Sequence, residues 1–283
     1  MIESIRSSLP VDFSERSELC YVEPFVGSGA VLFWILANFT NIKKAIINDI
    51  NTDLVNAYRV VRNNPRDLVL LLKQMQHEYY LLRRKEDRKI YYLEKRKEYN
   101  LRASDEVINA GTLIFLNRTC YNGLYRVNSR NEFNVPFGDY SNPGICDEKT
   151  IYSCSKLLQR VTILNDDFTA TLKYAGEDTF YYFDPPYKPV SRTSSFTSYS
   201  TVNFNDDEQE RLAGFCRKLH VKKAKWILSN SDLKNTKSDD NYFEKLYHGF
   251  HIRRVKAQRR INSVSSKRGN INELLISNYE TQD

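Results

Sequence analysis

Histidine and cysteine are scarce in this chain of 283 residues, and neither is grouped. The four histidines recur at no ligand spacing, which argues against a zinc site or a histidine-based nucleophilic centre, so no metal is expected. Five cysteines (Cys20, Cys120, Cys146, Cys154 and Cys216) are odd in number and scattered, the pattern of reduced thiols in a cytoplasmic protein rather than of a disulfide framework. Long apolar runs are missing: the stretch from Ala30 to Phe39 is too short to span a bilayer, and Met1 to Pro10 alternates polar and apolar residues without a signal-peptide core. Glycine, ten in all, supplies neither Gly-x-Gly-x-x-Gly nor a Gly-Lys-Ser/Thr loop, which disfavours a dinucleotide or a nucleoside triphosphate. No internal repeat or low-complexity tract is present.

What is there suits a globular protein. The chain is 41% hydrophobic and 27% charged, with length for one large domain or two smaller ones. Its net charge of +7 and pI near 9.0 suit a polyanionic partner without identifying one. Basic residues cluster at Arg83-Arg84-Lys85, Lys95-Arg96-Lys97, Lys222-Lys223, Arg253-Arg254, Arg259-Arg260 and Lys267-Arg268. The first two read as solvated faces of polar helices. The last three, close together, read as phosphate contacts, with Arg260 and Lys267 foremost.

One stretch organises the rest: Phe180-Tyr181-Tyr182-Phe183-Asp184-Pro185-Pro186-Tyr187. The run from Thr179 to Phe183 has the continuous apolar, β-rich texture of a buried strand. Pro185 and Pro186 cannot donate ladder hydrogen bonds, so the strand stops at Asp184. A carboxylate then stands at the carboxyl end of a central strand, where open α/β sheets bind ligands. Asp184 and the Pro185 carbonyl can each accept one N–H of a planar amine while Tyr187 stacks on its ring. Holding such an amine by two acceptors outside the ring plane localises its lone pair, with no strong base required. The plainer reading of the tetrapeptide is a rigid strand exit.

Other segments fall around it. Leu19 to Val22 reads as a strand leading into Glu23-Pro24-Phe25-Val26-Gly27-Ser28-Gly29, then an apolar helix from Val31; this turn lets backbone approach a nucleoside-type ligand. Lys44 to Asn48 is a second strand ending in Asp49, placed either to hold a ribose diol or to cap the helix that follows. From Thr52 to about Asn100 the pattern is helical, broken at Asn63-Asn64-Pro65, and helix returns from Asp105 to Leu116. Tyr121 to Gly138 alternates around a polar Asn128–Asn131 turn and predicts a β-hairpin, either a plain structural one or a ribbon armed with Arg and Asn that fits a DNA major groove. Strand–helix alternation resumes at Val161, with strands over Val161–Leu164, Lys225–Leu228, Phe250–Val255 and Glu273–Ser277 and a helix over Asp206–His220. The domain expectation is therefore 1–52 and 161–283 for one α/β domain, with 53–160 inserted.

With Pro24 to Gly29, Asn48-Asp49, Asn122-Gly123-Leu124-Tyr125-Arg126 through Pro136-Phe137-Gly138, Asp167-Phe168, Asp184 to Tyr187 and Phe196-Thr197-Ser198-Tyr199 in that order, the sequence resembles the Dam-type DNA adenine-N6 methyltransferases, including GATC-methylating restriction-modification enzymes. The resemblance runs from about Tyr21 to Tyr279. It implies a Rossmann-like, S-adenosylmethionine-dependent fold with a mixed sheet and an inserted helical and β-hairpin domain for DNA recognition, acting as a monomer on double-stranded DNA. On matching positions, Phe25, Gly27 and Gly29 would pass under the cofactor, Asp49 would take its ribose hydroxyls, and Asp167 and Phe168 would meet its adenine. Asp184 and Pro185, stiffened by Pro186, would hold the target amine, with Asp184 also near the methionine part of the cofactor and Tyr187 stacking on the flipped base. Arg126 would read a guanine, Leu124 and Pro136 the neighbouring bases, Tyr121 would wedge into the stack beside Asn122, and the site would be GATC.

The family's Lys-Trp-x-Gly-Gly-Lys segment before the glycine motif has no counterpart here, since the first Gly is Gly27 and the first Trp is Trp34. That departure motivates a rival expectation, a cofactor-deficient DNA-binding remnant. Methylation of cytosine N4 or of a protein glutamine uses the same amine chemistry, and the Tyr121–Gly138 block argues against both.

Overall fold

The computed structural model describes residues 1–102, 105–188, 204–258 and 270–281. In chain order the elements are α1 (Ile2–Arg6), β1 (Leu19–Glu23), α2 (Ala30–Asn38), β2 (Ile42–Asn48), α3 (Thr52–Asn63), α4 (Pro65–Leu81), α5 (Lys85–Asn100), α6 (Glu106–Thr119), α7 (Glu148–Leu158), β3 (Val161–Leu164), β4 (Thr179–Phe183), α8 (Asp206–Val221), β5 (Lys225–Ser231), α9 (Tyr242–Leu246), β6 (His251–Gln258) and β7 (Asn270–Ser277). They form an α/β fold of Rossmann-like type with a mixed sheet. No helix among the described residues is long and apolar enough to cross a membrane. The chain divides into two compact units: Met1–Asn48 with the described residues from Asp166 onward, and Asp49–Asn165.

In the first unit the strands lie in the order β2-β1-β4-β5-β7-β6; the first four are mutually parallel, and β7 runs antiparallel to both β5 and β6. All five residues of β4 are buried, as a strand covered on both faces must be, which is why its sequence is a continuous aromatic run rather than an alternating one. The polar tips of that run are satisfied: the Tyr181 hydroxyl donates to the Thr171 carbonyl at 2.8 Å. In register, Tyr181 lies beside Val22 on one side and Trp226 on the other, which makes β4 the centre of the sheet. The strand ends at Phe183, and Asp184 begins the exit. Strand β6 extends further than its apolar pattern suggests, to Gln258, because pairing with β7 continues through its polar end.

The second unit is mostly helical. Asn51 caps α3 by accepting from the Asp53 and Leu54 amides, and Pro65 starts α4 at the position where its missing N–H costs nothing. The expected single helical stretch up to Asn100 is also broken at residues 82–84, between α4 and α5. Helix α7, amphipathic and capped by Asp147, was not expected from the sequence. Tyrosines explain how such polar helices find a core. Tyr79 and Tyr92 are fully buried, and their hydroxyls donate to the Tyr140 and Val135 carbonyls, each at 2.7 Å.

The expected hairpin over 121–138 is paired but is not a ladder. Isolated antiparallel bridges join Cys120 to Phe137 and Val127 to Phe133, with a short 3₁₀ turn at Tyr121–Gly123. Two causes are visible. Asn122, Gly123, Asn131 and Asp139 take positive φ, which interrupts extended backbone. The returning arm also gives its backbone groups to α5: Asn100 bonds both the Phe133 amide and carbonyl, and the Val135 carbonyl accepts from Tyr92 and Arg96.

Candidate active site

The first unit carries Phe25, Gly27, Gly29, Asp167, Phe168 and Asp184–Tyr187 on the carboxyl-end loops of β1 and β4 and at the start of the 3₁₀ helix Phe168–Tyr174, which Asp167 caps. Buried Asn48 knits these loops together. Its Nδ2 donates to the Pro24 carbonyl at 3.1 Å and the Asp166 carbonyl at 2.9 Å, while its Oδ1 accepts from the Asp166 amide at 3.0 Å. Its backbone carbonyl accepts from Val26 at 3.0 Å. The turn after β1 needs its glycines: Gly27 and Gly29 sit at φ +47° and +74°, and a Cβ on Gly27 would meet nothing within 4 Å. Bare backbone therefore faces open space there, beside the half-buried ring of Phe25.

Phe168 is more enclosed than a ring awaiting a ligand. It is 3% exposed, packs on Phe25 at 5.3 Å and Phe215 at 5.5 Å, and lies under the Arg211 guanidinium at 4.3 Å. The same Arg211 forks onto Asp167, Nη1 to Oδ1 at 2.9 Å and Nη2 to Oδ2 at 2.7 Å. The guanidinium, helped by the Thr169 hydroxyl and amide, pulls the Asp167 carboxyl down to about 2. Arg211, on α8, carries no motif; its signal in the sequence was only its place three residues after Glu208, which it also bridges.

At the exit of β4, Asp184 is solvent-exposed, while protein packs densely around its carboxyl. The crowding raises its pKa, and hydrogen bonds from Ser229 and Tyr187 oppose that rise. Its Oδ1 accepts from the Ser229 hydroxyl at 2.8 Å. Pro185 is buried and Pro186 exposed. Tyr187 is half-buried, and its hydroxyl donates to Glu273 Oε2 at 3.3 Å. Burial raises the Tyr187 phenol well above its ordinary value, with the Asp184 and Glu273 charges pushing the same way, so it stays protonated.

Asp49 falls in the second unit, the residue after the end of β2, and is half-buried. Its Oδ1 accepts from the Asn51 amide at 2.9 Å, so it supports the turn into α3, while Asn51 itself provides the cap.

In that same unit the 121–138 segment sorts its residues by parity. Tyr125, Val127, Phe133 and Val135 are buried, whereas Leu124, Arg126, Asn134 and Pro136 lie on the open side. Tyr121 is 54% exposed beside exposed Asn122. The Arg126 side chain is held by Asn134, Nε to Oδ1 at 2.7 Å and Nη2 to the carbonyl at 3.0 Å, an arrangement the sequence did not signal. Nη1 and the remaining Nη2 proton still form a fork.

The basic clusters divide differently from expectation. Arg84, Lys85 and Lys95 are spent on Asp87, Asp139 and Glu98. Arg254 is spent too, on buried Asp232 at 3.0 Å and on Glu244, and Arg253 donates to the Ser7 and Ser8 hydroxyls. A carboxylate as buried as Asp232 requires a cation, and Arg254 supplies it. Arg260, Lys267 and the Phe196–Tyr199 motif lie outside the described residues. No group of histidine, cysteine and acidic side chains suited to a metal occurs among the described residues.

Comparison with known proteins bears directly on this arrangement. Residues 1–261 match the family model described as D12 class N6 adenine-specific DNA methyltransferase. The chain is 47% identical over 282 residues to the type II methyltransferase M.MjaIII of Methanocaldococcus jannaschii, covering 99% of this chain and 95% of that protein. It is 38% identical over 264 residues to the type II methyltransferase M1.LlaDCHI of Lactococcus lactis subsp. cremoris, covering 92% and 86%. It is 33% identical over 276 residues to a DNA adenine methylase of Vibrio cholerae, covering 97% and 90%.

Proposed function

This chain belongs to the D12 class of N6 adenine-specific DNA methyltransferases, and from that premise we propose that it moves a methyl group from S-adenosylmethionine to N6 of adenine in duplex DNA, at GATC. The observation that carries the reading is Asp184, solvent-open at the end of the central strand, followed by Pro185 and Tyr187 and sharing its unit with the glycine turn. Family membership of relatives named as methyltransferases does not favour a non-catalytic DNA-binding remnant.

The residues present fit the methyl donor. Left-handed Gly27 beside open space gives a backbone surface on which a nucleoside-bearing molecule can lie, with Phe25 flanking it. Asp167, on the loop before the 3₁₀ helix of the same unit, offers a carboxylate to an exocyclic amine. When bound, S-adenosylmethionine supplies an electrophilic methyl on a sulfonium sulfur.

The protein's own part is positioning. The Asp184 carboxylate and the Pro185 carbonyl accept the two N–H bonds of the adenine amine and localise its lone pair, while Tyr187 supports the ring. Tying the Tyr187 hydroxyl to Glu273 fixes that ring before substrate arrives. Asp184 also receives the proton the amine releases, and its open face passes it to solvent. Removal of the base from the duplex costs a few kcal/mol, about what an inserted side chain such as exposed Tyr121 can offset.

The second unit would read sequence. Leu124, Arg126 and Pro136 share one open face, and the pre-oriented Arg126 fork matches the O6 and N7 acceptors of guanine. The test is incorporation of tritiated methyl from S-adenosylmethionine into duplexes carrying GATC or a permuted site, followed by nucleoside analysis. N6-methyladenine confined to GATC is the expected product; label in N4-methylcytosine, or none, would refute the proposal.

A further inference from the structure

We propose that Ser229, on β5, is a positioning residue for Asp184: it clamps one carboxylate oxygen and so aims the other at the substrate amine. The inference rests on the methyl-transfer reading above and adds a residue that no motif contains. Strand register brings the two together. Phe183 lies opposite Leu228, the last pair of β4 and β5, so the next residue on each strand, Asp184 and Ser229, emerges side by side.

Ser229 is fully buried, yet it faces four polar groups, Tyr187 among them, with a single proton. Its Oγ lies 2.8 Å from Asp184 Oδ1, 3.2 Å from the Phe183 carbonyl and 3.3 Å from the Tyr182 hydroxyl. Tyr182 is 1% exposed, and burial keeps its phenol protonated. With Tyr182 donating to Ser229, the serine proton is directed outward, and the shorter, charged acceptor is Asp184 Oδ1. A chain of hydroxyls from the core of the sheet thus ends on the carboxylate and fixes its plane. Cooperative polarisation along such a chain strengthens the terminal bond.

Of the other groups around Asp184, Tyr187 faces it from the strand exit and also hydrogen-bonds its carboxylate, while its hydroxyl is shared with Glu273 on β7. Tyr21 on β1 faces it across the sheet, but its hydroxyl donates to Glu23 at 2.7 Å. Ser229 is therefore the donor supplied from within the sheet, and together with Tyr187 it favours the ionised carboxylate against the surrounding burial.

Removing that donor has two separable consequences. Asp184, released from its clamp, holds the amine less well, which lowers kcat more than it raises the KM for either substrate. Its ionisation also becomes harder, so the acid limb of the kcat profile moves to higher pH.

The experiment compares wild type, Ser229→Ala, Ser229→Cys and Asp184→Ala in pre-steady-state and steady-state methyl transfer from pH 5 to 9, with binding of S-adenosylmethionine by calorimetry as the check on folding. Cysteine preserves the buried volume but donates weakly, so it separates hydrogen bonding from packing. Both serine variants should bind cofactor normally, lose on the order of tenfold in kcat, as for one charge-assisted hydrogen bond, and shift the acid limb to higher pH. Wild-type kcat and acid limb in Ser229→Ala, or wild-type behaviour in Ser229→Cys beside a defective Ser229→Ala, would overturn the positioning role while Asp184→Ala remained inactive. Full activity in Asp184→Ala would instead overturn the underlying assignment of Asp184, and the proposal with it.

Discussion

Truncating Arg211 to alanine severs both bonds of its fork to Asp167 and uncovers the Phe168 ring that the guanidinium overlies at 4.3 Å. The fork holds the Asp167 carboxyl at about 2 against an ordinary 3.8. At about 1.4 kcal/mol per pH unit, that shift has an upper limit of roughly 2.5 kcal/mol. The side chains are 40% and 34% open to water, so screening reduces the coupling to about 1 kcal/mol. Contact with the ring adds about 0.5 kcal/mol, for a total near 1.5 kcal/mol. Urea unfolding of wild type, Arg211→Ala, Asp167→Asn and the double variant would give both the loss and the coupling. The pH dependence has a definite sign. Because the folded-state pKa of Asp167 is depressed, its contribution is full above the ordinary carboxylate value and fades as pH falls from about 4 toward about 2. Wild type should therefore lose about 1 kcal/mol of its advantage over Arg211→Ala across that window and keep the part due to the ring contact. A loss below about 0.3 kcal/mol at neutral pH, or an advantage undiminished at the acid end, would refute the reasoning.

Two further substitutions probe the second unit. Arg126→Ala should leave S-adenosylmethionine binding intact and relax discrimination at one guanine by roughly 1–3 kcal/mol, read by competing duplexes with that base replaced; unchanged preference would remove Arg126 from the reading set. Gly138→Ala should destabilise by about 1–3 kcal/mol in denaturant, because a Cβ there would lie 2.5 Å from the Cys120 carbonyl oxygen, which is backbone and cannot swing aside. A wild-type midpoint for Gly138→Ala would show that the turn is free to open.

Much of the secondary structure is legible in the sequence because local physics dictates it. The aromatic run of β4 ends where two prolines forbid another ladder bond, and the Asn64-Pro65 break is the start of α4. The 121–138 pairing is legible in outline, since alternate residues do face opposite ways, but not in detail. Which carbonyls it spends depends on Asn100, Tyr92 and Arg96, contributed by a helix more than thirty residues earlier. Charge clusters mislead for a related reason: Arg253-Arg254 has the composition of a phosphate contact, yet buried Asp232 claims Arg254. The polar partners of the candidate site are the least legible part. Ser229 is 45 residues from Asp184, and Arg211 is 44 from Asp167, and nothing in either local sequence announces the pairing. Strand register and helix placement create those contacts, and neither is written in a motif.

The most direct test of the whole account is the single-turnover rate of methyl transfer to a GATC duplex by Asp184→Ala at saturating S-adenosylmethionine and DNA. Loss of the acceptor that grips the adenine amine should slow transfer at least about a hundredfold. Transfer at the wild-type rate would mean that the amine is activated elsewhere, and the account would be wrong at its centre.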